Sequence, residues 1–108
     1  MVKDLKTMRY RVEGECLEIV PVGEIDHHSA AAMRAEADAL INEYRPTRVE
    51  LNLGKIEFMD SSGLGFIMGR YKLAQKNGGE LVVKSPSKNV LKVCRLAGLG
   101  RIVKIITR

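Results

Sequence analysis

The chain reads as a single α/β domain, with an N-terminal hairpin followed by βα repeats. This makes a mixed sheet of about five strands with a parallel core and about three to four helices. Three observations predict it. The period of the apolar residues switches repeatedly between two and three-to-four along the chain. After the first two strand-like runs, every further one alternates with a helix-like run, which calls for parallel strands joined by right-handed crossovers. The length, 108 residues, suits one core and is too short for two, and no internal repeat, low-complexity segment or long linker divides it. One domain over 1–108, in the order β-β-α-β-α-β-α-β, is the expectation.

Each element has a local cause. "MRYRV" (Met8 to Val12) and "CLEIVPV" (Cys16 to Val22) alternate across a turn at Glu13-Gly14, the signature of an antiparallel hairpin. Pro21 belongs at an edge or a strand end because it has no N–H to give. From Ala30, the residues Met33, Ala37, Leu40, Ile41 and Tyr44 share one helical face until Pro46 stops the run, with Asp26 at or near its N-cap. "RVELNL" (Arg48 to Leu53) is a strand with Val49, Leu51 and Leu53 inward. A second helix follows the serines of "FMDSSGLGFIMGRYK" and ends at "NGG", Asn77 to Gly79. "ELVVK" (Glu80 to Lys84) is a short buried strand. A third helix follows, with Ser85 as N-cap, Pro86 in its first turn and Gly98 past its end. "RIVKII" (Arg101 to Ile106) is the last strand.

Composition narrows the function. The hydrophobic fraction of 45% with 29% charged residues is ordinary for a soluble domain. No apolar run approaches the roughly 20 residues of a membrane span, and the N-terminus has no signal-peptide core, so a cytoplasmic protein without a membrane partner is expected. Cys16 and Cys94 sit in apolar surroundings without metal-type spacing and read as two buried, reduced thiols. The net charge of +5 is uneven: residues 1–68 carry 8 Lys and Arg against 12 Asp and Glu, and residues 69–108 carry 10 against 1. The later cations are spread through helix and strand without interleaved aromatics, which favours an acidic protein partner or a solvated face over direct nucleic-acid binding.

The junction Asp60-Ser61-Ser62-Gly63 carries the chemistry. A dinucleotide fingerprint fails because Met68 stands where the third glycine is needed, and the Gly-Lys-Ser/Thr end of a P-loop is absent. A nucleophile elbow fails because no glycine lies two residues before either serine. His27 and His28, at the end of another strand, are the only bases of histidine type. They read as turn residues, and no cluster has metal-ligand spacing, so no catalytic group, metal or cofactor is assigned. Asp60, Ser61 and Ser62 are all good N-cap types; with Ser62 as the cap, Ser61 is left open to solvent, and Gly63 and Gly65 keep its surroundings flat. A hydroxyl at a helix start suits phosphorylation, since the helix N-terminus favours the added charge. Along the helix, Leu64, Ile67, Met68, Tyr71 and Ala74 should face the sheet. Phe66, Gly69 and Leu73 lie opposite, either as an apolar landing site or under another element.

"GEIDHH", "LNLGKIEFMDSSGLGFIMGRYK" and "GGELVV", in this order, resemble the STAS domains of bacterial anti-sigma factor antagonists, and within them the sporulation anti-sigma F factor antagonists. The resemblance spans nearly the whole chain, and its long middle motif is specific. It implies a small βα fold and a partner-switching role in sporulation transcription. The unphosphorylated protein binds an anti-sigma factor that is also a serine kinase and releases the sigma factor. Phosphorylation of the serine after the motif aspartate, Ser61 here, ends the binding, and a serine phosphatase restores it. By the same resemblance Asp60, Ser62 and Gly63 form the switch neighbourhood, with Asp60 positioning the acceptor. Asp26, His27, Gly65, Phe66, Gly69 and Leu73 form the expected partner surface, on a chain that acts as a monomer. The alternative is a STAS partner-binding module of a general stress response or of membrane-lipid transport. The sequence differs from many relatives in ending, at Arg108, soon after the last strand.

Overall fold

The computed structural model describes residues 2–107. Its main sheet has six strands: β1 (Val2–Asp4), β2 (Met8–Glu13), β3 (Cys16–Pro21), β5 (Arg48–Asn52), β7 (Glu80–Lys84) and β8 (Lys104–Ile106), in that spatial order. The first three are antiparallel, and β3, β5, β7 and β8 run parallel. The expected hairpin is present, closed by Glu13 opposite Cys16, and Pro21 falls at the strand end. Two strands, β4 (Gly23–Ile25) and β6 (Ile56–Met59), form a separate parallel ribbon that the period of the sequence did not announce. The helices are α1 (Ala30–Tyr44), α2 (Ser61–Lys76) and α3 (Lys88–Leu96).

Register builds the core. Leu17, Val49 and Leu81 align across β3, β5 and β7, and Ile19, Leu51 and Val83 form the next row, all of them buried. Side chains alternate along a strand, so the positions between these rows face the other way. There Lys84 Nζ lies 3.2 Å from Glu18 and 3.4 Å from Glu50, and Arg48 lies 3.1 Å from Glu50 and 3.2 Å from Glu80. Burial works against the Glu50 charge, but Arg48 and Lys84 outweigh it and hold its carboxyl below the usual carboxylate range. Lys84, one of the cations of the basic second half, is thus committed within the chain. Cys16 is only half-buried, on this charged face beside Glu50, whereas Cys94 is buried. Burial pushes both thiols up, which favours their protonated form.

Helix α1 packs on β3 and α2 on β7, side by side, while α3 packs on β6. Met33, Ala37, Leu40 and Ile41 are the buried stripe of α1, and Arg45, at φ 42°, turns the chain out of the helix just before Pro46. Gly78, at φ 81°, ends α2 within the expected "NGG". Three local readings are corrected. The N-cap of α3 is Ser87, because Ser85 takes a positive φ of 53° and Pro86 stays outside the helix. The Ser87 hydroxyl donates to the Ile56 carbonyl instead and ties α3 to β6. The last strand starts at Lys104, since Leu99–Arg101 form a 3₁₀ turn.

Candidate functional site

The parallel pairing of β4 and β6 brings two helix starts together. Ile25 lies opposite Met59, and the Asp60 N–H donates to the Ile25 carbonyl at 3.2 Å. Each strand then hands over to a turn and a helix, so α1 and α2 begin side by side. At the first turn Asp26 Oδ1 accepts from the His28 and Ser29 N–H groups, both at 2.9 Å. The Ser29 hydroxyl donates to the Glu24 carbonyl at 2.7 Å. The Ser29 N–H, the larger influence, and that of His28 hold the Asp26 carboxyl below its ordinary pKa. Asp26 is therefore the acceptor that shapes the turn before α1, a near-cap rather than the cap, which is Ser29.

At the second turn the cap is Asp60, not Ser62. Asp60 is extended and its Oδ1 accepts from the Ser62 N–H at 2.8 Å. With Ser61 already the first helical residue, the cap position falls on the residue before it, and a carboxylate there also complements the helix dipole. Ser61 is exposed, and its hydroxyl has no hydrogen bond among the described residues. Gly63 fits closely: a Cβ there would overlap the Met59 side chain and force it to move, so glycine lets the first turn of α2 sit on the end of β6 without disturbing Met59. Gly65 is exposed, and Gly65 and Gly69 both have open space where a Cβ would go, which leaves this stretch of α2 flat.

The apolar landing site expected around Phe66 is covered. Phe66 is 3% exposed, because α1 lies over that side of α2; Gly69 and Leu73 are half-buried. A cleft of about 450 Å³ remains between the two helix starts, with His27, Ala30, Ala31 and Arg34 on one wall and Ser62, Gly65 and Phe66 on the other. His27 and His28 are exposed and stack edge to face at 4.8 Å. No hydrogen bond joins either ring to Ser61 or Ser62 among the described residues. The described residues hold no group of three acidic, cysteine or histidine side chains able to take a metal ion, and no helix among them is long and apolar enough to cross a membrane.

The exposed aromatic is Phe58, at 51%. In β6, Ile56 pairs with Gly23 but Phe58 pairs with Glu24, so Glu57 is an extra residue. This bulge turns Phe58 outward while Ile56 and Met59 stay buried. Sequence reasoning missed Phe58 because strict alternation places it on the side of Ile56. Arg34 and Arg70 were also missed; a cation within a helical stripe gives no signal of its own.

The model of the STAS domain family matches residues 7–108. The chain belongs to the STAS domain family. This STAS domain is 40% identical over 83 residues to the anti-sigma F factor antagonist of Paenibacillus polymyxa, covering 77% of this chain and 71% of that protein. It superposes on the anti-sigma factor antagonist SpoIIAA in its unphosphorylated form with a TM-score of 0.76 and 31% identity, over 94% of this chain and 89% of the other. Against the Bacillus cell fate determinant SpoIIAA in the phosphorylated form, the TM-score is 0.69 at 30% identity, over 94% and 92%. The main sheet, the three helices and the βα order expected for a STAS domain are those found, with two short outlying strands and an edge strand in addition.

Proposed function

We propose that this STAS domain is an anti-sigma factor antagonist whose binding is switched by phosphorylation of Ser61. The observation that carries the reading is an exposed serine hydroxyl at the start of α2 with no hydrogen bond among the described residues, in a chain whose relatives bear the antagonist name and include one solved in both phosphorylation states. Unmodified, the chain docks on an anti-sigma factor that is also a serine kinase and frees the sigma factor, in the setting of sporulation. The kinase transfers phosphate to Ser61, the complex parts, and a serine phosphatase reverses the step. The chain supplies the acceptor and no catalytic group, and it acts as a cytoplasmic monomer without contacting nucleic acid.

The contact surface follows from what is open. Ser61, Gly65, His27 and the Phe58 ring are exposed around the two helix starts, and Asp26 holds the turn that presents His27. Phe58 takes the apolar role the sequence suggested for Phe66, while Phe66, Gly69 and Leu73 support the surface from behind. Phosphate adds about −1.5 to −2 charges there. The helix N-terminus favours that charge, but the Asp60 carboxylate and Glu57 oppose it, so the dianion stays turned to solvent. A partner fitted to a neutral hydroxyl must then desolvate an unpaired dianion. A loss of about 4 kcal/mol weakens binding about a thousandfold. Incubating the chain with ATP and the candidate anti-sigma factor, followed by mass mapping, tests the assignment: phosphate is expected on Ser61 alone, and phosphate on Ser62 or on neither serine refutes it.

A further inference from the structure

Arg70 is the one buried charged side chain among the described residues, 5% exposed, and the switch as described makes no use of it. It lies nine positions beyond Ser61 on α2, about 13 Å along the axis. Its Nε approaches Asp38 Oδ1 of α1 to 2.7 Å. Neither atom is in an aligned hydrogen bond, so the contact is charge against charge. Its Nη1 donates to the Phe66 carbonyl at 3.3 Å, and the guanidinium carbon stands 5.3 Å from the centre of the Phe66 ring. One planar cation thus holds both the backbone and the ring of Phe66 while bridging to the neighbouring helix.

Burial lowers the Arg70 pKa, Asp38 opposes that, and Arg34 adds to the lowering. A well-packed aliphatic residue would join α1 to α2 without that desolvation cost. What Arg70 adds is direction, because its Nη1 hydrogen bond and its planar face over the ring orient Phe66 where an apolar contact only fixes distance, while Asp38 holds the cation in place. The element so oriented is Phe66, which lines the cleft together with Ser62, Gly65, His27 and Arg34.

We propose that Arg70 and Asp38 are positioning residues for the switch: together they fix Phe66 and the spacing of α1 and α2, and so set the width of the cleft lined by Ser62 and Gly65, the residues that follow the acceptor on α2, which the kinase partner reads. The inference rests on the reading of Ser61 as the acceptor. Asp38→Asn removes the charge from a half-buried position, and Arg70→Lys keeps charge but loses the planar contact. Val103→Ala, a buried position before β8 and outside the site, serves as a control that lowers stability alone. KM and kcat for Ser61 phosphorylation by the anti-sigma kinase, and the amide resonances of Ser61, Ser62 and Gly65, are measured on the full chain.

Both site variants are expected to raise KM about tenfold with kcat changed less than about twofold, and to shift those amides, while Val103→Ala does neither. An unchanged KM, a KM rise matched by Val103→Ala, or unfolding of both site variants overturns the proposal. If the wild-type chain is not phosphorylated on Ser61, the functional reading falls instead. The amide shifts then test only the structural half of the inference, that Arg70 and Asp38 fix the start of α2: stillness in both variants overturns that half as well.

Discussion

The outer face of the main sheet and the corner where α1 and α2 begin are both polar, yet they treat their polar groups in opposite ways. On the sheet, Arg11, Glu18, Arg48, Glu50, Glu80 and Lys84 meet one another across four strands at 3.1 to 3.4 Å. At the corner, Asp26 and Asp60 satisfy backbone N–H groups, but the Ser61 hydroxyl, the Phe58 ring and the bare backbone at Gly65 face outward. A charge neutralised within the chain contributes modestly to the fold and offers little to a partner. A group left without a partner contributes nothing to the fold and is available for docking and modification.

That contrast can be broken in order of size. Ser61→Asp is expected to weaken anti-sigma factor binding about a hundredfold or more while leaving the melting temperature nearly unchanged; Ser61→Ala keeps binding and resists inactivation. Calorimetric titration of both variants checks this, and equal affinities would contradict it. Gly63→Ala is expected to lose about 1–3 kcal/mol of stability in urea unfolding, because Met59 must give way inside the core. Phe58→Ala should do the reverse, costing about 1–2 kcal/mol of binding, read as the change in Kd, with stability almost intact.

Smaller effects separate the two regions further. Asp60→Ala should cost about 1 kcal/mol in thermal or urea unfolding through loss of the cap, while Ser62→Ala, which removes no cap, should cost much less. On the sheet face, the folded-state pKa of Glu50 is depressed. Its contribution is therefore full above the ordinary value of 4.5 and is lost as pH falls through the lower folded value. Glu50→Gln should flatten that acid-side slope in urea midpoints taken from pH 6 to about pH 3, with a total effect under about 1 kcal/mol at neutral pH.

The sequence revealed the elements with a clear apolar pattern. The hairpin, β5 and the start of α1 stand where alternation and the stripe of Met33, Ala37, Leu40 and Ile41 placed them, and β7 stands where its short run of apolar residues, buried on both faces, placed it. Hidden were β1, whose three residues are all exposed, and the β4–β6 ribbon, whose strands are short and whose bulge at Glu57 breaks the alternation. At the site, the open position of Ser61 was legible because small hydroxyls and glycines cluster at this helix start. Which residue caps was not, since Asp60, Ser61 and Ser62 differ by one step and only the observed start of α2 decides among them. The exposed aromatic was misplaced for a tertiary reason: the helical wheel assigns Phe66 to the side of α2 away from the sheet, but α1 occupies that side.

The most direct test compares the unmodified chain with chain phosphorylated stoichiometrically on Ser61, each titrated calorimetrically into the anti-sigma factor at one ionic strength. The expected result is a Kd about a thousandfold weaker for the phosphorylated form, with little change in its unfolding midpoint. Equal Kd values for the two forms would contradict the switch.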